Sequence, residues 1–188
     1  FAATEAPALF KSLTVMAVPH AGRFAREGLR IPKQLRLSWY MGLFNIPWLS
    51  DWVVQRQGYA FIRKLWRDWS PGWQPEPGVL DDVIRILSQP GVRSAALGYY
   101  RAALSIKALL VSAEEAHYEV TVPTLALSGE RDGCIASDVF ERLTVPDDFP
   151  QGVKFHRVSG AGHFLHQEKP EVVNPLLLDW LNQYSHHR

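Results

Sequence analysis

Cysteine is almost missing from this chain: Cys134 is its single thiol. One thiol closes no internal disulfide, so nothing marks an oxidising compartment, and a cytoplasmic setting is expected. No histidine stands near Cys134 in sequence, so it reads as a small buried hydrophobe rather than a nucleophile. An excess of charge of one sign is also lacking. The 188 residues carry a formal net charge of +1, which leaves no electrostatic footprint for nucleic acid or an acidic membrane. The basic residues are scattered, as in Arg23, Arg26 and Arg30, or Arg63, Lys64 and Arg67, and read as solvated helix faces. No apolar run reaches the roughly 18–20 residues of a membrane span. The opening Phe1-Ala2-Ala3-Thr4 shows none of the regions of a secretory signal and reads as entry into the middle of an element. Metal ligands are sparse as well. His166 follows His163 at close spacing, but no further Cys, His or carboxylate cluster joins them, so no metal is expected.

What is present is an ordinary globular composition, 47% hydrophobic and 12% aromatic, in a length that suits one sizeable core. Leu13 to Val18 is a short apolar run stopped by Pro19, as expected of a strand buried on both faces in a parallel sheet. From Ala25 to about Ser112 strand signals vanish. Six of the seven tryptophans lie here, and apolar residues such as Val54, Phe61, Leu65 and Trp69 recur at helical spacing. Pro71-Gly72, Pro75 to Gly78 and Pro90-Gly91 punctuate this block. Asp81-Asp82 opens one helix with acid in its first turn, and Val92 to about Leu110 reads as another. Strand character returns at Val122–Gly129 and at Val153–Val158. Asp138–Leu143 and Pro170–Trp180 read as helices.

The expected class is therefore α/β, a parallel sheet with crossover helices and an all-helical insertion. The expected division is 1–24 for a core segment, 25–112 for the helical cap and 113–188 for the C-terminal core segment. Ligands of open α/β sheets bind beyond the carboxyl ends of the strands. An insert that leaves after the first strand stands at that end, where it can cover a pocket.

Two strand ends there carry reactive groups. Gly129-Glu130-Arg131-Asp132-Gly133 follows one strand, and Gly160-Ala161-Gly162-His163-Phe164 follows the next. A buried Asp132 would fix the tautomer of His163 and stabilise its cation, leaving the imidazole to act as a general base. The bland alternatives are a turn residue for Asp132 and a helix-entry residue for His163. Glu130 is the nearest rival acid. Asp138 is better explained by helix capping or by the helix dipole. His20 lines the site or satisfies a turn. His117 and His156 read as surface or strand-face residues.

These two segments, Val122 to Asp132 and Gly160 to Pro170, resemble the acid and histidine motifs of α/β-hydrolases, and the second is similar to those of epoxide hydrolases and haloalkane dehalogenases. Leu13 to His20 resembles the strand that precedes the cap in those enzymes. Ser38 to Pro47 resembles the first cap motif of epoxide hydrolases, and Gly98-Tyr99-Tyr100-Arg101 the second, with glycine where asparagine is common. The resemblance implies that Tyr40 and Tyr100 are a phenol pair that donates to the epoxide oxygen, where negative charge develops on opening. Helical packing is the plain alternative for both. Gly98, costly inside a helix by about 1 kcal/mol, is expected to make room for something. Trp39, Phe44 and Phe164 are expected to line an apolar pocket.

The nucleophile elbow of this family, G-x-[acid or Ser]-x-G, does not occur in the sequence. The resemblance therefore implies an aspartate carried by an N-terminal portion of the same hydrolase, a small apolar epoxide as substrate, a vicinal diol as product, and no cofactor. A serine esterase or lipase, a haloalkane dehalogenase, and a non-catalytic fragment are the alternatives.

Overall fold

The computed structural model of the chain describes residues 2–103 and 119–185. Its strands are β1 (Leu13–Met16), β2 (Thr124–Gly129) and β3 (Val153–Val158). Its helices are α1 (Ala2–Glu5), α2 (Ala21–Arg26), α3 (Pro32–Leu37), α4 (Trp39–Phe44), α5 (Leu49–Trp69), α6 (Val79–Leu87), α7 (Val92–Ala103), α8 (Ser137–Leu143), α9 (Leu165–Glu168) and α10 (Pro170–Ser185). The expected helix after Pro90-Gly91 is present as α7. The remainder of that expectation, and His117, lie outside the described residues.

The strands form one parallel sheet in the order β1-β2-β3. Thr124 stands opposite both Leu13 and Val153, so all the carboxyl ends lie along one edge. The central strand β2 is buried along its whole length. Its side chains alternate between two cores. Leu125 and Leu127 join Val158, Leu165, Val173 and Trp180 on the α10 face, whereas Ala126 joins Phe140, Tyr40 and Leu65 on the other. Burial on both faces is the reason the strand reads as an unbroken apolar run.

α10 continues beyond the expected end at Trp180 to Ser185, passing through Pro175. Trp180 and Tyr184 pack ring on ring at 4.7 Å, which extends the apolar face by one more turn. No described helix is long and apolar enough to cross a membrane.

The described residues between β1 and β2 contain helices and turns but no strand. α2 already begins at Ala21, where His20 serves as N-cap and its Nδ1 accepts the Arg23 N–H at 3.2 Å. This is the turn reading of His20. α5 is two helical pieces joined by a kink, with Gln57, Gly58 and Tyr59 at φ values of 53°, 61° and 62°. A left-handed L-residue costs about 1–2 kcal/mol, so the kink needs external support. Tyr59 supplies some: its hydroxyl donates to the Leu87 carbonyl at 3.2 Å and accepts from Arg93 at 3.1 Å.

Candidate active site

The acid loop leaves β2 and the histidine loop leaves β3, side by side at the carboxyl edge. Their backbones prolong the ladder: Glu130 N–H donates to Val158 O at 3.0 Å, and Arg131 N–H to Ala161 O at 2.8 Å. They run so close that a Cβ on Gly129 would fall 2.0 Å from Gly162 O. The short glycines bring the two loops, and hence their functional side chains, together.

Asp132 and His163 meet there. Asp132 Oδ2 lies 3.0 Å from His163 Nδ1, and the carboxylate side chain is wholly buried. Its other oxygen accepts the N–H groups of Cys134 at 2.7 Å and Ile135 at 2.9 Å. Burial acts most strongly on His163 and disfavours its cation. The hydrogen bond to Asp132, then the proximity of Cys134, outweigh burial and raise the imidazole from 6.5 to about 10.

The rival acids are occupied elsewhere. Glu130 is held below the usual carboxylate range by the Gly160 N–H and then the Ser159 hydroxyl. It fastens the start of the histidine loop and does not touch the imidazole. Asp138 sits in the first turn of α8, and its carboxylate accepts from backbone N–H groups there, its own and that of Val139. It pairs with Lys33 at 2.7 Å, which lowers its pKa. The ion pair between α3 and α8 adds to the expected placement of an acid at the start of a helix. His166 is exposed and is lowered, by partial burial first and by the charge of His163 second.

Tyr40 and Tyr100 come together, ring centroids 5.8 Å apart and nearly perpendicular. Arg101 ties the second motif to the corner between α4 and α5, bonding Phe44 O at 3.2 Å, Ser50 Oγ at 2.8 Å and Asp51 Oδ2 at 2.7 Å. Tyr100 is thereby turned inward while its neighbour Tyr99 is 81% exposed. Burial first, then Cys134, raises both phenols, Tyr100 to about 12 and Tyr40 further still. Both keep their protons at neutral pH and can donate.

Cys134 is buried, as expected, but its surroundings were not legible in sequence. Its sulfur is 3.1 Å from the Tyr40 hydroxyl. With a ring nitrogen of His163 and a carboxylate oxygen of Asp132 it forms a group whose atoms all lie within 4.8 Å of one another. The expectation that no cysteine or carboxylate joins His163 is thus corrected: Asp132 and Cys134 converge on it, with Asp132 also accepting two backbone N–H groups.

Phe44 is buried and packs edge-on against both tyrosines, at 5.5 Å and 4.8 Å. With Trp69 and Tyr100 it lines an apolar cavity of about 130 Å³ inside the helical block. Asp132 and His163 do not line that cavity. Phe164 stacks on Trp66 at 4.2 Å and meets His163 edge-on at 5.3 Å. Trp39 is 49% exposed and packs on Phe61. The expectation for Gly98 is not met among the described residues: a Cβ there would meet none of their atoms within 4 Å.

No family model matches the chain. Epoxide hydrolase 4 of Homo sapiens is 30% identical over 184 residues, which is 94% of this chain and 48% of that protein. The AB hydrolase superfamily protein YfhM of Bacillus subtilis is 27% identical over 184 residues, 95% of this chain and 60% of that protein. The crystal structure of a Bacillus megaterium epoxide hydrolase in complex with an inhibitor matches with a TM-score of 0.72 at 26% identity, covering 96% of this chain and 63% of the other. The chain is epoxide hydrolase-like and has the α/β-hydrolase fold. It spans about half the length of the epoxide hydrolases it matches first.

The Asp132 loop is also held by a residue that carried no signal in sequence. Gln34, on α3 and wholly buried, grips the acid loop. Its Nε2 donates to Cys134 O at 2.9 Å and to Ser38 Oγ at 3.0 Å, and its Oε1 accepts the Ala136 N–H at 3.0 Å. A lone glutamine on a short helix reads as surface. Only an apolar helix face interrupted by it could have hinted at burial.

Proposed function

We propose that this epoxide hydrolase-like chain supplies the base, its orienting acid and the oxygen-binding phenols of an enzyme that converts a small apolar epoxide to a vicinal diol. The nucleophile in this reading is an aspartate on an N-terminal portion of the same hydrolase. One observation carries the proposal: Cys134 adjoins both the Tyr40 hydroxyl and the Asp132–His163 pair, so phenol and imidazole share one site.

The reaction has two steps. A carboxylate oxygen of the aspartate attacks an epoxide carbon, and the C–O bond to the ring oxygen breaks. The phenols of Tyr40 and Tyr100 stabilise the oxygen as it becomes an alkoxide, and one of them gives it a proton. His163, in its neutral form and oriented by Asp132, then takes a proton from water. The hydroxide adds to the ester carbonyl, the ester C–O bond breaks, and the imidazolium returns its proton to the departing alkoxide. The diol leaves, and the proton of the new carboxylic acid goes to the phenolate, which restores both carboxylate and phenol. Phe44 and Phe164, with Trp39 at the margin, present apolar surface to the substrate. No metal or cofactor enters either step. A cytoplasmic location belongs to the same proposal and is supported by the free thiol of Cys134.

The test is an assay of the parent hydrolase for diol formation from styrene oxide beside ester cleavage. Diol formation that collapses in the Tyr40→Phe/Tyr100→Phe variant is expected. Ester cleavage indifferent to that variant would instead indicate a serine hydrolase, and halide release from an alkyl halide a dehalogenase.

A further inference from the structure

We propose that Glu168 is a positioning residue for His163, and that through Ser70 it fixes the imidazole to the far end of the cap helix α5. The proposal rests on the reading of His163 as the base of the second step.

All three backbone N–H groups centred on His163 are held. Gly162 N–H donates to Glu168 Oε2 at 2.8 Å, and Phe164 N–H to Glu168 Oε1 at 3.1 Å. The N–H of His163 itself donates to Trp69 O at 3.1 Å, and the same carbonyl accepts the Gly133 N–H at 3.0 Å. One carboxylate thus straddles the histidine. Its remaining donor is the hydroxyl of Ser70, at 2.6 Å from Oε1. Ser70 is wholly buried and follows the last residue of α5. Its Oγ also accepts from Phe164 N–H at 3.2 Å. The fit leaves no slack, since a Cβ on Gly162 would lie 2.6 Å from Ser70 Cα.

A glutamate that accepts the N–H at the start of a short helix is a common cap, and α9 begins after Phe164. Capping accounts for the bond to Phe164. It does not account for the bonds to Gly162 and Ser70, which lie outside α9. Bonds to an ionised acceptor are among the stronger ones in a protein, and together they link three segments at the point where His163 emerges. An imidazole displaced by a fraction of an ångström loses its line to the attacking water, while the first step, which does not use it as a base, continues.

The experiment is a single-turnover study of the parent hydrolase with styrene oxide, in which the ester on quenched enzyme is followed by mass spectrometry. In Glu168→Ala, ester formation is expected to stay within about two-fold of the parent while ester hydrolysis slows about ten-fold or more. The ester accumulates, so kcat and KM fall together. Ser70→Ala is expected to act in the same direction and less strongly. Glu168→Gln, which turns an amide N–H₂ toward one of its donors, is expected to fall between. Equal slowing of both steps, or unchanged partition in all variants that fold, overturns the proposal and leaves Glu168 a helix cap.

Should the parent form no diol, the proposed function fails, but the positioning can still be read. In that case the ¹⁵N NMR titration of His163 is expected to move downward in Glu168→Ala as the bond to Asp132 loosens. A midpoint that stays in place overturns the inference independently.

Discussion

Both oxygens of Asp132 are engaged: one holds His163, the other holds two N–H groups of its own loop. The raised imidazole has a thermodynamic consequence. A histidine whose folded pKa lies above its unfolded value adds stability that is complete below 6.5 and lost as pH climbs through about 10. Asp132→Asn removes the hydrogen bond that raises it. Urea unfolding should therefore show the variant losing most relative to the parent below pH 6.5, with the gap narrowing as pH approaches 10. A gap independent of pH would separate the stability from the imidazole. Cys134 is a second raising influence on His163. In the proposed function His163 must be neutral to act, so hydrolysis of the ester intermediate should quicken with rising pH along a limb set by His163. Cys134→Ala should bring that limb to lower pH, as read from the pH profile of the second step in the parent enzyme.

The tightest joints between elements lie where α5 ends. A Cβ on Gly133 would meet Asp68 O at 1.9 Å, so Gly133→Ala must push the end of the helix off the acid loop. Forcing atoms into such a joint costs about 1–3 kcal/mol. The urea midpoint should fall accordingly, and the Trp69 bonds to Gly133 and His163 should be lost together. A midpoint equal to that of the parent would show the joint to be loose. This joint was not legible in the sequence, although the elements on both sides of it were. Strands β2 and β3 announce themselves because burial imposes apolar runs and alternation. The aspartate and the histidine stand out because they follow those runs directly. Contacts such as Gln34 to Cys134 and Ser70 to Glu168 join residues 98 to 100 positions apart. They depend on how helices cross, and polar residues on helices look alike before that crossing is known. Glu130 shows the complementary ambiguity: it stands beside Asp132 in sequence, and only the turn at the end of β2 decides which of them faces the histidine.

For the whole molecule, the sheet is the feature with the widest effect. Leu13 donates its N–H to Pro123 O, just ahead of β2, and Ala17 donates to Leu127 O within it. By the alternation of a strand, Thr14 and Met16 turn theirs the other way. Among the described residues the sheet ends at β1, which is half-buried throughout while β2 is fully buried. An open edge of this kind is a template for another strand. The 188-residue chain on its own should therefore self-associate with rising concentration, measurable by light scattering after gel filtration. Thr14→Pro removes an N–H from that edge and should reduce the association. A chain that stays monomeric at all concentrations would mean that the edge is already covered.

The shared Trp69 carbonyl has a further consequence for anyone recombining segments of this chain with those of its relatives. It acts as a common anchor for the Asp132 and His163 loops, so residues 68–70 belong by contact to the loops at the carboxyl edge even though they are continuous with α5. A helical block transplanted from a relative should be joined ahead of Asp68. A join placed after Ser70 would bring in a foreign anchor, and the spacing of Asp132 and His163 would then be set by the donor.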